Sequence, residues 1–396
     1  MSRNDFRRRQ AQRQRRKLVR HLPIILALFL AFSALAAGVF ALTRFVLNRQ
    51  PISSASASSS TAKTTSEDPA QPISSPASGT LAQAAYIAAG YDYDRAIALI
   101  KEDSSLAEDP AALEAITSYE EAKASLLPAD VQNVPHVFFH SLIMDTAKAF
   151  DGDSRTPGYN SVMTTKDEFL KMLDAFYEDG YVLVRIRDIA SETTDENGNT
   201  VFSWGEILLP EGKKPLVMSQ DDVCYYPYME KDGFARRIVI GEDGKPTAEM
   251  VMEDGSISTG PYDLIPILED FIEEHPDFSY KGARAIIAFT GYEGILGYRT
   301  AASYSDSPNY EQDREQAAKV AQCLKDNGWE LASHSWGHLW MGVSSVPGET
   351  FKISDERFYT DTDKWEAEVE SLIGPTDIYI YPNGNDVADW RPYTED

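Results

Sequence analysis

From Val134 onward, short apolar runs alternate with helical patterns, and that alternation restricts this part of the chain to a parallel sheet with helical crossovers. The runs lie at 134–140, 181–184, 216–219, 285–290, 329–333 and 378–381. Helical patterns at 165–179, 262–274, 311–327 and 365–372 separate most of them, the first and third closed by Gly180 and Gly328. Two polar, glycine-containing stretches, 191–212 and 233–259, read as hairpin insertions. Six strand-like runs without a glycine-rich phosphate turn favour a barrel-like wound sheet over a dinucleotide-binding fold.

Two of these runs end on chemistry. One stops at the adjacent carboxylates Asp221 and Asp222, and another ends in His334-Ser335-Trp336-Gly337-His338, which holds two of the six histidines of the chain. In barrels of parallel strands the active groups sit at the C-terminal strand ends, where all four of these residues fall. Catalytic Zn²⁺ commonly takes three protein ligands, imidazoles and a carboxylate, and keeps a position open for water. The two histidines and one Asp make such a set, and the other Asp is then free to serve as general base. Taken alone, an Asp-Asp pair is more often a solvated cap and a Ser-His-Ser run a polar loop. Cys224, two residues past Asp222, reads as a buried small side chain or as a thiolate ligand, and Cys323 as helix core. Two cysteines can form at most one bridge.

The N-terminal third reads differently. Residues 1–21 form a basic tail, with nine Lys or Arg in the first twenty positions, although the chain as a whole carries a net charge of −25. The remainder is therefore strongly acidic, which argues against nucleic acid as a partner. Leu22 to Thr43 is a 22-residue run without a charge, long enough to span a bilayer. It predicts a transmembrane helix over 22–47, with the basic end cytoplasmic and everything after it outside. A cleaved signal peptide ending near Ala34-Leu35-Ala36-Ala37 is the competing reading, but signal cores run only about 7–15 residues. A Ser/Thr/Pro-rich linker at 48–80 follows. A small helical segment is expected at 81–130, read as a helical hairpin, and the main domain at 131–396.

Ser219-Gln220-Asp221-Asp222 resembles the first motif, T-F-D-D, of the NodB-type polysaccharide deacetylases (carbohydrate esterase family 4-like), and His334 to His338 resembles their second, a zinc-binding histidine pair. The stretch 134–140 is similar to the family's opening strand, and Tyr381-Pro382-Asn383-Gly384 to its third motif. The likeness runs from Val134 to the end of the chain.

The resemblance implies a distorted (β/α) barrel of seven strands and metal-dependent hydrolysis of an N-acetyl group. It implies Asp222, His334 and His338 as ligands of a divalent metal, with Zn²⁺ the ion it points to, and Asp221 as the base. Asn383 would supply a backbone N–H for the oxyanion, Ser335 would buttress the histidine loop, and Tyr381 would stand beside the site. The implied substrate is an N-acetylated polysaccharide of the wall or surface, met by a single-pass protein of the cell membrane. Tyr225, Tyr226, Tyr228, Trp336 and Trp340 either stack on sugar rings or belong to the core.

The chain departs from the family pattern in three places. Val223 replaces the glycine after Asp-Asp. Ile380 replaces the arginine that orients the base, a role Arg299 is expected to take. The later motifs, which include the Leu-x-His general acid, have no counterpart in the twelve residues after Gly384, where Asp389-Trp390 is a poor match. The chain therefore reads as truncated, or its acid comes from His140 or His136. The alternative function is a catalytically weak glycan-binding or wall-sensing module on the same fold. A metallohydrolase acting on another bond, such as an ester, is a third.

Overall fold

The computed structural model describes residues 79–342 and 353–386. The basic tail, the apolar run at 22–43, the linker up to residue 78 and Asp389-Trp390 lie outside the described residues. Among the described residues, no helix is long and apolar enough to cross a membrane.

The helical segment contains three helices, α1 (Thr80–Ala89), α2 (Tyr93–Glu102) and α3 (Pro110–Ala124), where a hairpin of two was expected. Asp92 and Asp109 cap the second and third through Arg95 N and Ala111 N, and Pro110 opens the third. Ala84, Ala88, Ala96 and Ala112 allow close packing around Ile87 and Ile100. The third helix buries only Ala112, so it carries almost no apolar stripe to be read from sequence. The segment rests on the main domain at Gly90, where a Cβ would meet the Ser279 carbonyl at 2.9 Å; Lys281 N also donates to the Gly90 carbonyl at 2.7 Å.

Five parallel strands form the main sheet: β1 (His136–Phe139), β2 (Tyr181–Leu183), β3 (Lys214–Gln220), β4 (Ile286–Phe289) and β5 (Glu330–Ser333). The long strand β3 is the hub. Its first half pairs with β2, its second half with β1, and Ser219 and Gln220 with β4, which pairs with β5 along its whole length. Residues of β3, β4 and β5 are buried on both faces, as strands covered on both sides require. Leu216, Met218, Ile287, Phe289 and Leu331 face helices α4 (Lys166–Glu178), α5 (Leu264–Glu274), α6 (Tyr310–Asp326) and α7 (Asp355–Trp365). The intervening residues Val217, Ile286, Ala288 and Ala332 face a second cluster with Val182, Val184 and Ile380. Each fully buried side chain such as Phe169 or Leu173 contributes about 1.5–3 kcal/mol.

The sheet does not close into the expected seven-stranded barrel among the described residues. The run at 378–381 makes a single parallel bridge, Ser333 to Tyr379, in place of a sixth strand. Thr376 Oγ1 takes the Leu331 carbonyl at 2.7 Å before the run begins, and Pro382 has no N–H to continue the ladder after it. At the opposite edge, His136 and Phe138 on β1 are exposed, Phe138 by 60%.

The first insertion is a hairpin, Ala190–Thr194 with Thr200–Trp204. The second carries one strand more than expected: Arg237–Ile240, Pro246–Val251 and Ile257–Gly260 form a three-stranded antiparallel sheet. Leu127–Pro128 also pairs with Leu208–Leu209, which the sequence pattern did not suggest.

Candidate metal centre

The ends of β3 and β5 bring Asp222, His334 and His338 together, with their ligating atoms all within 4.8 Å of one another. Asp222 Oδ2 lies 3.6 Å from His338 Nε2 and 3.8 Å from His140 Nε2. Asp222 Oδ1 is buried without a hydrogen-bond partner, an arrangement that is costly unless a donor or a cation faces it. His334 Nδ1 lies 2.8 Å from the Ile380 carbonyl, which assigns the ring proton to Nδ1 and leaves the Nε2 lone pair free. Burial pushes the His338 imidazole below its ordinary range, outweighing the pull of Asp222, and so favours the neutral form a metal requires. Two imidazoles and a carboxylate whose buried Oδ1 lacks a partner fit a divalent cation.

The ligand loops are unusual in backbone conformation. Asp222, Ser335 and His338 have φ of 56°, 62° and 52°, in the left-handed region that few residues other than glycine adopt. The left-handed residue is thus Asp222 rather than its successor, so Val223 sits buried where the family pattern has glycine.

Two buried carboxylates, neither singled out in the sequence, hold these loops. Asp361 Oδ2 accepts from Ser335 Oγ and Trp336 N, both at 2.7 Å, and its Oδ1 accepts from Gly337 N at 2.8 Å. Ser335 Oγ in turn accepts from Leu339 N at 3.0 Å. The signal was an acid one turn before Trp365 on the buried face of α7. On the aspartate side, Asp263 accepts from Gln220 Nε2 and from Leu142 N, each at 2.8 Å, and from the Tyr225 hydroxyl. Burial raises the Asp263 carboxyl above its ordinary range while these three donors oppose the rise. Asp263 thereby joins the end of β3, the loop after Asp222 and the turn after His140.

Asp221 is buried beside its neighbour, with its N–H donated to the Phe139 carbonyl at 2.8 Å. Its Oδ1 accepts from Ser219 Oγ at 2.9 Å. The guanidinium of Arg299, expected to orient Asp221, instead donates to the carbonyls of Glu293 (2.8 Å), Cys224 (3.4 Å) and Tyr225, and so ties down the loop after Asp222. Asn383 lies exposed in the Pro382–Gly384 turn with φ of 59°, and Tyr381 packs its ring 4.9 Å from Tyr379. Cys224 is fully buried, burial pushes its thiol up to about 12, and it lies outside the cluster of Asp222, His334 and His338, so it reads as a core side chain. Cys323 is buried too, donating to the Gly244 carbonyl at 3.3 Å.

The expected aromatic rim divides. Tyr225 belongs to the core. Tyr226 and Tyr228 stack at 5.4 Å, Tyr226 and Tyr292 lie 6.0 Å apart, and Tyr292 meets Trp336 edge-on at 6.3 Å. Arg155 lies over Tyr228 at one end and Lys364 over Trp336 at the other, at 5.0 and 4.4 Å. Tyr292 has no sequence signal, because its place in the strip comes from the loop after β4. Trp340 is half-buried.

Fold and site together define a mixed α/β protein with a carboxylate and two imidazoles at the C-terminal ends of parallel strands. No protein-family model matches the chain, and no curated protein matches it. Among solved structures it is similar to a de-N-acetylase from Aggregatibacter actinomycetemcomitans, at 16% identity and a TM-score of 0.33, over 64% of this chain and 82% of that one. A likeness at that level is too weak to bear on function, so the reading below rests on the site.

Proposed function

We propose that the chain is a metal-dependent hydrolase that removes N-acetyl groups from a cell-wall or surface polysaccharide. In this reading the run at 22–43 anchors it in the membrane, with the main domain on the extracytoplasmic side. The observation that carries the reading is the convergence of Asp222, His334 and His338 within 4.8 Å, with Asp221 adjacent in the chain. Nitrogen donors plus a single carboxylate suit Zn²⁺ better than Mg²⁺ or Ca²⁺, which prefer oxygen ligands. When bound, such an ion polarises the acetyl carbonyl and acidifies water.

The remaining roles fall to the chain. Asp221 accepts a proton from the attacking water. The C–O bond to the acetyl carbon forms first, the C–N bond breaks as the tetrahedral adduct collapses, and the leaving nitrogen needs a proton to depart as an amine. His140, whose Nε2 lies 3.8 Å from Asp222 Oδ2, is an imidazole beside the ligand set and is assigned this transfer. Asn383, three residues beyond the carbonyl that holds His334, is assigned the oxyanion contact. The Tyr228–Tyr226–Tyr292–Trp336 strip, exposed at Tyr228, is assigned the contact with a sugar chain.

The test is metal content together with acetate release from an N-acetylglucosamine oligomer, using the full chain in detergent with and without added Zn²⁺. Metal binding with acetate release is the expected result. Metal binding and oligomer binding without acetate would replace the hydrolase with a glycan-binding module. Failure to bind metal would overturn the hydrolase, and failure to bind the oligomer as well would overturn both.

A further inference from the structure

We propose that His136 is a positioning residue for Asp221, acting through the hydroxyl of Ser219; the inference rests on the reading of Asp221 as the base. In the parallel register His136 lies opposite Val217, and Val217, Ser219 and Asp221 share a face of β3 by the two-residue period of a strand. His136 Nε2 thereby lies 2.9 Å from Ser219 Oγ, and Ser219 Oγ lies 2.9 Å from Asp221 Oδ1.

The protons in this chain can be assigned. Ser219 is fully buried and its hydroxyl has one hydrogen. The Ser219 hydroxyl donates that hydrogen to Asp221 Oδ1, so its oxygen accepts from the imidazole. His136 is therefore the Nε2–H tautomer, and both hydrogen bonds point the same way and end on the carboxylate. Successive bonds of one polarity polarise each other, and the second of them, from Ser219 to Asp221, is buried. They hold Oδ1 in place and leave Oδ2 for water. The arrangement also accounts for a fully buried hydroxyl directly after the apolar run Leu216-Val217-Met218 of β3. Arg299 does not reach Asp221, so Ser219 is the side chain bonded to it among the described residues.

Two measurements on the full chain in detergent test the inference. Nitrogen-15 NMR of the histidine rings, with the His136 signals identified by their loss in His136→Gln, is expected to show the Nε2–H tautomer in the parent and a mixture in Ser219→Ala. In acetate release, His136→Ala is expected to lower kcat about 3- to 10-fold, the range a single hydrogen bond supplies, with KM and metal content unchanged. His136→Gln, whose amide also donates, is expected to recover most of the loss. An Nδ1–H tautomer in the parent would overturn the inference, as would equal losses in the Ala and Gln variants. If the parent releases no acetate, the hydrolase reading fails, while the tautomer still decides the geometry of the relay.

Discussion

Asp361 accepts a 2.7 Å hydrogen bond from the hydroxyl of Ser335, the residue between His334 and Trp336, and so fastens the histidine loop to helix α7. Asp361→Ala would leave the Ser335 hydroxyl and the N–H groups of Trp336 and Gly337 without their acceptor. Outer-shell partners of this kind are typically worth about 10–100-fold in metal affinity. Zn²⁺ affinity, measured by competition with a chelator, is therefore expected to fall by about that factor, and an unchanged affinity would remove Asp361 from this role.

The two adjacent aspartates are expected to separate cleanly. Asp222→Ala or His334→Ala removes a ligand, so bound metal and turnover should be lost together. Asp221→Asn keeps the volume and removes the base, so the metal should stay while acetate release drops. Parallel metal analysis and kinetics decide it, and an unchanged rate in Asp221→Asn would show that another group takes the proton.

Glu330 makes stability depend on pH. It is buried on β5, with Oε2 accepting from Ile186 N at 2.9 Å and Oε1 without a hydrogen bond, and burial raises its carboxyl to about 7. The folded state thus holds the proton more tightly than the unfolded chain, whose ordinary value is 4.5. The associated stability is present below that ordinary value and is lost as pH rises toward 7, by about 3 kcal/mol. Denaturant unfolding at a series of pH values should show the decline in the parent and a flatter profile in Glu330→Gln. An identical profile in the two proteins would exclude Glu330 as the cause.

The aromatic strip should matter for long substrates more than for short ones. Tyr228 is exposed and lies at the end of the strip away from Trp336. Removing one stacking ring is expected to cost about 3- to 10-fold in KM, so Tyr228→Ala should raise KM for a long N-acetylglucosamine oligomer by that factor and leave kcat unchanged. A short oligomer should be unaffected, and a loss of kcat on both lengths would assign Tyr228 to the catalytic centre instead.

Much of this arrangement was legible because strand ends carry periodic, local signals. The runs at 216–219, 285–290 and 329–333 appear as β3, β4 and β5, and the residues just beyond β3 and β5 meet in one cluster. The closed barrel was not recoverable, since nothing local tells a four-residue run that will form a strand from one that will make a single bridge before Pro382. Asp361 and Asp263 were passed over because an acid on an amphipathic helix or before one reads as a solvated residue or a cap. Only tertiary placement reveals that each gathers donors from other elements. The partner of Asp221 was hidden for a related reason: the family pattern has an arginine there, and the groups on hand are a serine two residues back and a histidine across the strand pair.

The left-handed backbones of Asp222 and His338 carry a consequence for heat resistance. Asp and His tolerate that region better than most residues and glycine carries its own chain-entropy cost, so the strain glycine would relieve at each position is at most about 1 kcal/mol. The same two positions bear candidate ligands, so the metal-free protein gives up thermal tolerance at the residues it needs for chemistry. A His338→Gly chain is expected to bind metal poorly while melting no lower than the metal-free parent.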